Sequence, residues 1–201
     1  SAQPAGSASD AATPAPKRQA FPVIDPALAL TGKALLEALQ RGGFVLYLRH
    51  TETGAITEQC NVTNLSHKGA AAARELGVQL KRLQIPFSSV LSSPVCRVQE
   101  TAKLLDLGDV ELSDDLAQVP KPPVTDLYAA RMRQLARVPK LGTNTMLVSH
   151  MHAGVPRYQT VDLEFGEIIV FRPKGNGVTK AVSRVLADNW QALSAAKPGS
   201  K

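Results

Sequence analysis

The unbroken apolar run Phe44-Val45-Leu46-Tyr47-Leu48 stops at Arg49-His50, and no other feature constrains the fold of this chain as much. So short a run with no polar alternation predicts a strand covered on both faces, the situation of a parallel sheet packed between helices. The pattern returns where Met146-Leu147-Val148-Ser149 runs into His150, and a third run, Val90-Leu91-Ser92-Ser93-Pro94, leads to Arg97. In an open α/β sheet the carboxyl ends of parallel strands share one edge, and ligands bind there. That edge would collect Arg49, His50, Ser92, Arg97 and His150.

The remaining elements follow from periodicity and punctuation. Residues 33–41 place Leu35, Leu36 and Leu39 at helical spacing, and Gly42-Gly43 ends that helix before the strand 44–48. Ser66 caps a long Ala-rich helix running to Leu83, and Pro86 closes it before the strand 89–91. A helix over 95–105, a short strand 110–112, a helix over 125–138 and a strand 145–149 come next. Strands 167–171 and 178–185 flank the turn Pro173-Lys174-Gly175-Asn176-Gly177 and form a hairpin. The order predicts an α/β fold: a three-layer α/β/α sandwich with a mostly parallel sheet and an antiparallel edge hairpin. The loops 51–65 and 114–126 carry no element assignment.

A chain of 201 residues suits one domain with a single core. Residues 1–24 are mostly small and polar without apolar periodicity, which predicts a flexible lead, followed by the domain over 25–195 and a flexible tail over 196–201. No stretch approaches the roughly 20 apolar residues of a membrane span. The small-residue start without an initiator Met predicts an exported protein, periplasmic or secreted, after removal of a signal peptide. Cys60 and Cys96 are the two cysteines. An oxidising compartment would allow them to pair across the candidate pocket, and two unpaired buried thiols are the alternative.

The net charge of +6 suits an anionic substrate, although Lys81, Arg82 and the residues 131–137 place part of it on what read as exposed helical faces. Aromatic residues are only 4% of the chain and no basic stripe is interleaved with rings, so nucleic acid is not the expected partner. Two guanidiniums hold a phosphoryl group through paired N–H donors. A neutral histidine is a competent nucleophile toward phosphorus, and a second one can donate hydrogen bonds to the equatorial oxygens. No cofactor or metal is required by this set. His150-Met151-His152 is a poor zinc fragment, because the chain has four histidines in all and no acidic cluster beside these two.

These residues resemble the histidine phosphatase superfamily, which includes the phosphoglycerate mutases. Leu48-Arg49-His50-Thr51-Glu52-Thr53 is similar to its Arg-His-Gly-Glu-Thr signature. Ser92-Ser93-Pro94-Val95-Cys96-Arg97 through Glu100-Thr101-Ala102 matches its second motif, and Val148-Ser149-His150 its third. The similarity runs in order from residue 33 to 190. Leu163-Glu164-Phe165-Gly166-Glu167 and Trp190 resemble a small exported bacterial-type branch. The resemblance implies a histidine-type acid phosphatase or other phosphohydrolase acting on a phosphorylated small molecule or other phospho-substrate. His50 would be phosphorylated transiently, and Arg49, Arg97 and His150 would hold the phosphoryl group; beside them, Thr53 is a candidate substrate contact, and His152 is either a pocket wall that touches substrate or a surface residue. Glu100 would support Arg49 or the neighbouring loop.

The departures from the family pattern are specific. Thr51 replaces the signature glycine, Met151 follows His150 where glycine is frequent, and Ile56 stands where many members carry asparagine. Gln118 occupies the place where many members have a glutamate proton donor. Asp115, with Asp114 and Glu111 beside it, is the substitute candidate acid, and a solvated turn is the alternative for all three. A domain without an acid would favour good leaving groups such as phosphohistidine or acyl phosphate. It could also be a silent phosphate-binding domain. A mutase is the least expected outcome, since the chain lacks insertions to retain a reoriented intermediate.

Overall fold

The computed structural model describes residues 20–56, 60, 63–153, 159–160 and 162–195. The lead before residue 20 and the tail after 195 lie outside the described residues, as do Arg157 and Tyr158.

The elements run β1 (Ala20–Phe21), α1 (Gly32–Arg41), β2 (Val45–Arg49), β3 (Thr53–Ile56), β4 (Thr63–Leu65), α2 (His67–Arg82), β5 (Phe87–Ser92), α3 (Cys96–Leu105) and β6 (Val110–Leu112). They continue with a 3-10 turn (Asp114–Leu116), α4 (Leu127–Ala136), β7 (Asn144–Ser149), β8 (Gln159–Thr160), β9 (Ile168–Gly175), β10 (Val178–Val185) and α5 (Trp190–Ala195). The main sheet has six strands in the order β10-β9-β2-β7-β5-β6. β2, β7, β5 and β6 are parallel, and β9 and β10 are antiparallel at one edge. This is the expected mixed sheet with its edge hairpin.

The apolar run of β2 is continuous because both sides of the sheet are covered. Leu46 and Leu48 join a core with Leu35, Leu39, Leu76, Leu80, Val98, Leu105 and Trp190, contributed by α1, α2, α3 and α5. Val45 and Tyr47 face the opposite way, into a smaller core with Leu135 of α4, Leu116, Leu147, Ile169 and Phe171. Side chains alternate along a strand, so each residue of the run is buried against one helical layer or the other.

Three details refine the sequence expectation. The region 51–65 is not a plain loop: β3 and β4 pair there as an antiparallel hairpin. Where the sequence sets the domain boundary at residue 25 and the start of folding near 21–26, β1 pairs with β8 and Ile24 bridges to Ala181. Arg131 is not on an exposed helical face: it is buried on α4, where it donates to the carbonyl oxygens of His152 and Ala117.

The parallel register sets the level of the strand ends. Arg49 of β2 stands opposite Ser149 of β7, and Ser92 of β5 opposite Val148. The next residues are pinned by backbone bonds, His50 N–H to Ser149 O at 3.0 Å and Ser93 N–H to Val148 O at 3.0 Å. Three strands therefore stop together, and α3 starts beside them with Arg97 in its first turn.

Candidate active site

His50 is buried immediately past the end of β2, and its Nδ1 lies 2.9 Å from the carbonyl oxygen of Thr51. A carbonyl can only accept, so Nδ1 carries the proton and Nε2 keeps its lone pair in the neutral ring. Burial pushes the His50 pKa down to about 4; Arg97 and Arg49 push the same way, while the Thr51 bond opposes them. At neutral pH the imidazole is therefore uncharged, and its Nε2 has no hydrogen-bond partner among the described residues, the form able to attack phosphorus.

His150 approaches His50 edge-on, with ring centroids 6.0 Å apart and planes at 77°. Its Nε2 lies 3.0 Å from the hydroxyl of Ser93. Burial lowers its pKa to about 3, and the nearby charges of Arg97, Arg131 and Arg49 add to the effect. Behind it, the buried Tyr47 hydroxyl reaches the carbonyl oxygens of His150 at 3.2 Å and His152 at 3.0 Å. The strand end that carries His150 is thus tied to β2 through a side chain as well as through the sheet.

Arg49 is half-buried. Its Nη1 donates to Leu163 O at 2.6 Å, and its guanidinium lies 4.0 Å from the centroid of the Phe165 ring. Arg97, also half-buried, donates from Nη2 to Gln118 Oε1 at 3.0 Å. Burial draws both guanidiniums below the ordinary arginine value, a sign of charge held where water is scarce. Arg49 Nε and His150 Nδ1 are buried polar atoms without a hydrogen-bond partner among the described residues. Leaving such atoms unpaired is costly, which marks the strand ends as a polar spot inside the fold.

The structure thus brings together His50, His150, Arg49 and Arg97, and it adds Gln118 through its bond to Arg97. Thr53 opens β3, paired with Leu65, and no contact with the two histidines is seen for it. His152 is half-buried and turned toward Asp162, with Nδ1 3.3 Å from Oδ1. Asp115, the substitute acid, accepts from Gln134 of α4 at 2.8 Å, and no contact joins it to the histidines or arginines. Thr51, in the place of the signature glycine, spends its hydroxyl on Gly69 O at 2.7 Å, which ties the site loop to α2. Cys60 and Cys96 form a disulfide with Cα atoms 5.9 Å apart. It fastens the segment after β3 to the start of α3, next to Arg97.

Sequence reasoning missed several contributors. Tyr47 had a signal, a hydroxyl inside an otherwise apolar run, and so did Phe165, which precedes a glycine in a turn. Ser93 was seen only as part of a motif. Arg131 gave none, since a helical arginine ordinarily faces solvent. A separate cleft of about 390 Å³, lined by Ser89, Glu111, Gln134, Arg137 and Lys140 among others, borders α4 and shares none of the strand-end residues.

Comparison with known proteins finds the same fold among phosphatases. The histidine phosphatase superfamily (branch 1) matches residues 45–121, a span that holds Arg49, His50, Arg97 and Gln118. The structure is similar to that of the protein histidine phosphatase SixA complexed with tungstate: 18% identity over 73% of this chain and 98% of that one, with a TM-score of 0.55. It is also similar to a putative alpha-ribazole-5'-P phosphatase from Escherichia coli, with 17% identity over 69% and 94% of the two chains and a TM-score of 0.51. A phosphoserine phosphatase mutant from Entamoeba histolytica in complex with phosphoserine gives 17%, 72%, 98% and 0.50. None of the curated proteins matches the sequence significantly. The chain has the mixed α/β fold of the histidine phosphatases.

Proposed function

We propose that this protein is a member of the histidine phosphatase superfamily and a phosphohydrolase that works through a phosphohistidine on His50. The observation that carries the proposal is the His50 imidazole: buried, neutral, with Nδ1 bound to Thr51 O and Nε2 free, beside His150 and two arginines. Arg49 and Arg97 bind the phosphoryl oxygens. Nε2 attacks phosphorus as the bond to the leaving oxygen or nitrogen breaks, and His150 stabilises the charge on the equatorial oxygens. Water then attacks the phosphorus, the P–N bond breaks, and inorganic phosphate leaves with His50 restored.

The leaving group sets the substrate class. Gln118 stands beside Arg97 where an acid would serve, and an amide donates no proton to a departing alkoxide. Asp115 is engaged by Gln134. The substrates favoured are those whose leaving group needs little protonation: phosphoramidates such as phosphohistidine, acyl phosphates and aryl phosphates. The similarity to a protein histidine phosphatase is in keeping with that class. The disulfide fits an exported protein working in an oxidising compartment.

Release of phosphate from 4-nitrophenyl phosphate tests the proposal, with turnover lost in both His50→Ala and Arg97→Ala. The missing acid also favours a second possibility, a silent phosphate-binding domain. Phosphate binding by the wild-type protein without turnover of any aryl or acyl phosphate would decide for that alternative.

A further inference from the structure

We infer that residues 162–167 form a strap that positions the Arg49 guanidinium for an anion, with Phe165 as the seat and the buried Glu167–Arg184 pair as the lock. The inference rests on the phosphoryl-binding role proposed for Arg49.

The lock is well made. Glu167 is 3% exposed, and Arg184 of β10 meets it through two bonds, Nε to Oε2 at 2.8 Å and Nη2 to Oε1 at 3.1 Å. Paired bonds between a guanidinium and a carboxylate fix direction as well as distance. The same carboxylate accepts from the Glu164 N–H at 2.9 Å, and Glu167 N–H donates back to Glu164 O at 3.1 Å. Residues 164–167 thereby close a four-residue turn whose third position is Gly166, at φ +73°. A turn of that shape needs glycine there, and it leaves Phe165 at the corner.

The strap is stitched to both histidine-bearing strand ends. Arg49 N–H donates to Glu167 O at 3.1 Å and Gly166 N–H to Arg49 O at 3.1 Å, while Leu163 N–H donates to Met151 O at 3.2 Å. From this frame the strap reaches the Arg49 side chain twice, through Leu163 O and through the Phe165 ring. The same ring lies 5.8 Å from the His50 ring. Asp162 and Glu164 favour the charged guanidinium against its burial. A long, freely rotating side chain loses entropy when an anion orders it, and a chain already ordered loses less. With Nη1 held by Leu163 and Nε buried, Nη2, for which no partner is found among the described residues, is the donor left for a phosphoryl oxygen. Glu167 is therefore a positioning residue acting through Arg49, not a catalytic one.

A buried ion pair could instead serve only to hold β9 and β10 together, and a double-mutant cycle separates the two roles. The full-length protein and the variants Phe165→Leu, Glu167→Gln and Arg49→Ala, singly and in combination with Arg49→Ala, are titrated with inorganic phosphate by calorimetry. KM and kcat are measured with 4-nitrophenyl phosphate. Each strap variant should weaken phosphate binding about tenfold, should raise KM for 4-nitrophenyl phosphate more than it lowers kcat, and should add nothing once Arg49 is alanine. Undiminished phosphate affinity in both strap variants, or an equal loss in the Arg49→Ala background, overturns the inference. Circular dichroism and cooperative unfolding check the fold; if Glu167→Gln does not fold, the Phe165→Leu cycle decides alone. A wild-type protein that binds no phosphate overturns the role of Arg49 and the strap with it, whereas phosphate binding with an additive cycle overturns the strap only.

Discussion

Arg97 and Gln118 are joined side chain to side chain, Nη2 to Oε1 at 3.0 Å, so the amide lies against one of the two cations of the proposed anion site. On the proposed function, a carboxyl group in its place would act as the proton donor to the leaving group. Gln118→Glu should raise kcat/KM for an alkyl phosphate relative to an aryl phosphate by about tenfold or more, since general acids contribute in that range and above. Steady-state kinetics on a matched pair of esters measures the ratio. If it does not move, Gln118 is not at the leaving-group side.

The two histidines titrate far below an ordinary imidazole, near 4 for His50 and near 3 for His150. Proton NMR of the ligand-free protein should place their midpoints well under pH 5; midpoints between 6 and 7 would contradict the burial that sets them. The same shifts predict stability. In the unfolded chain both rings titrate near 6.5, so between that pH and about 4 the unfolded state binds more protons. The stability held in keeping the rings neutral is complete above about pH 6.5 and is lost as pH falls through about 4 and then about 3. The slope is at most about 1.4 kcal/mol per pH unit for each histidine. Urea unfolding at several pH values measures it.

The Cys60–Cys96 bridge spans 36 residues. Closing a loop of that length in the unfolded chain is worth about 3 to 4 kcal/mol on the chain-entropy model. Reduction, or the double change Cys60→Ser with Cys96→Ser, should lower the unfolding free energy by about that amount. Equal denaturation midpoints with and without reductant would mean the bridge contributes nothing to stability.

Gly77 lies inside α2, where alanine is ordinarily favoured by up to about 1 kcal/mol. Here the sign should reverse. A Cβ at Gly77 would overlap the carbonyl oxygen of Leu105 at the end of α3, so Gly77→Ala should destabilise by about 1 to 3 kcal/mol through forced separation of the two helices. Thermal unfolding of the single variant gives the sign directly. A rise in the midpoint would show that α2 and α3 can part at little cost.

Much of the site was legible because its chemistry sits on short local patterns. Arg49-His50 after an apolar run and His150 after another could be placed at one sheet edge without coordinates, since parallel strands end on the same side. The pairing of Cys60 with Cys96 stayed open for the opposite reason. Whether two cysteines meet depends on the approach of two segments, and no local pattern records that. Arg131 was misplaced by the same gap: a helical arginine faces water by default, and here carbonyl oxygens from two loops hold it inside.

By itself, then, the sequence determined the layered α/β class, the strand ends that carry the histidines, and the cationic character of the edge they share. Each of these follows from periodicity or from residues adjacent in the chain. Tertiary structure decided what those groups are: which nitrogen of His50 is free, how far burial depresses both imidazoles, and that Gln118 rather than Asp115 touches Arg97. It also decided that Phe165, Glu167 and Arg184 belong to the environment of Arg49. Desolvation, hydrogen-bond direction and stacking depend on distances between residues remote in sequence, and only the packed sheet and its strap set those distances.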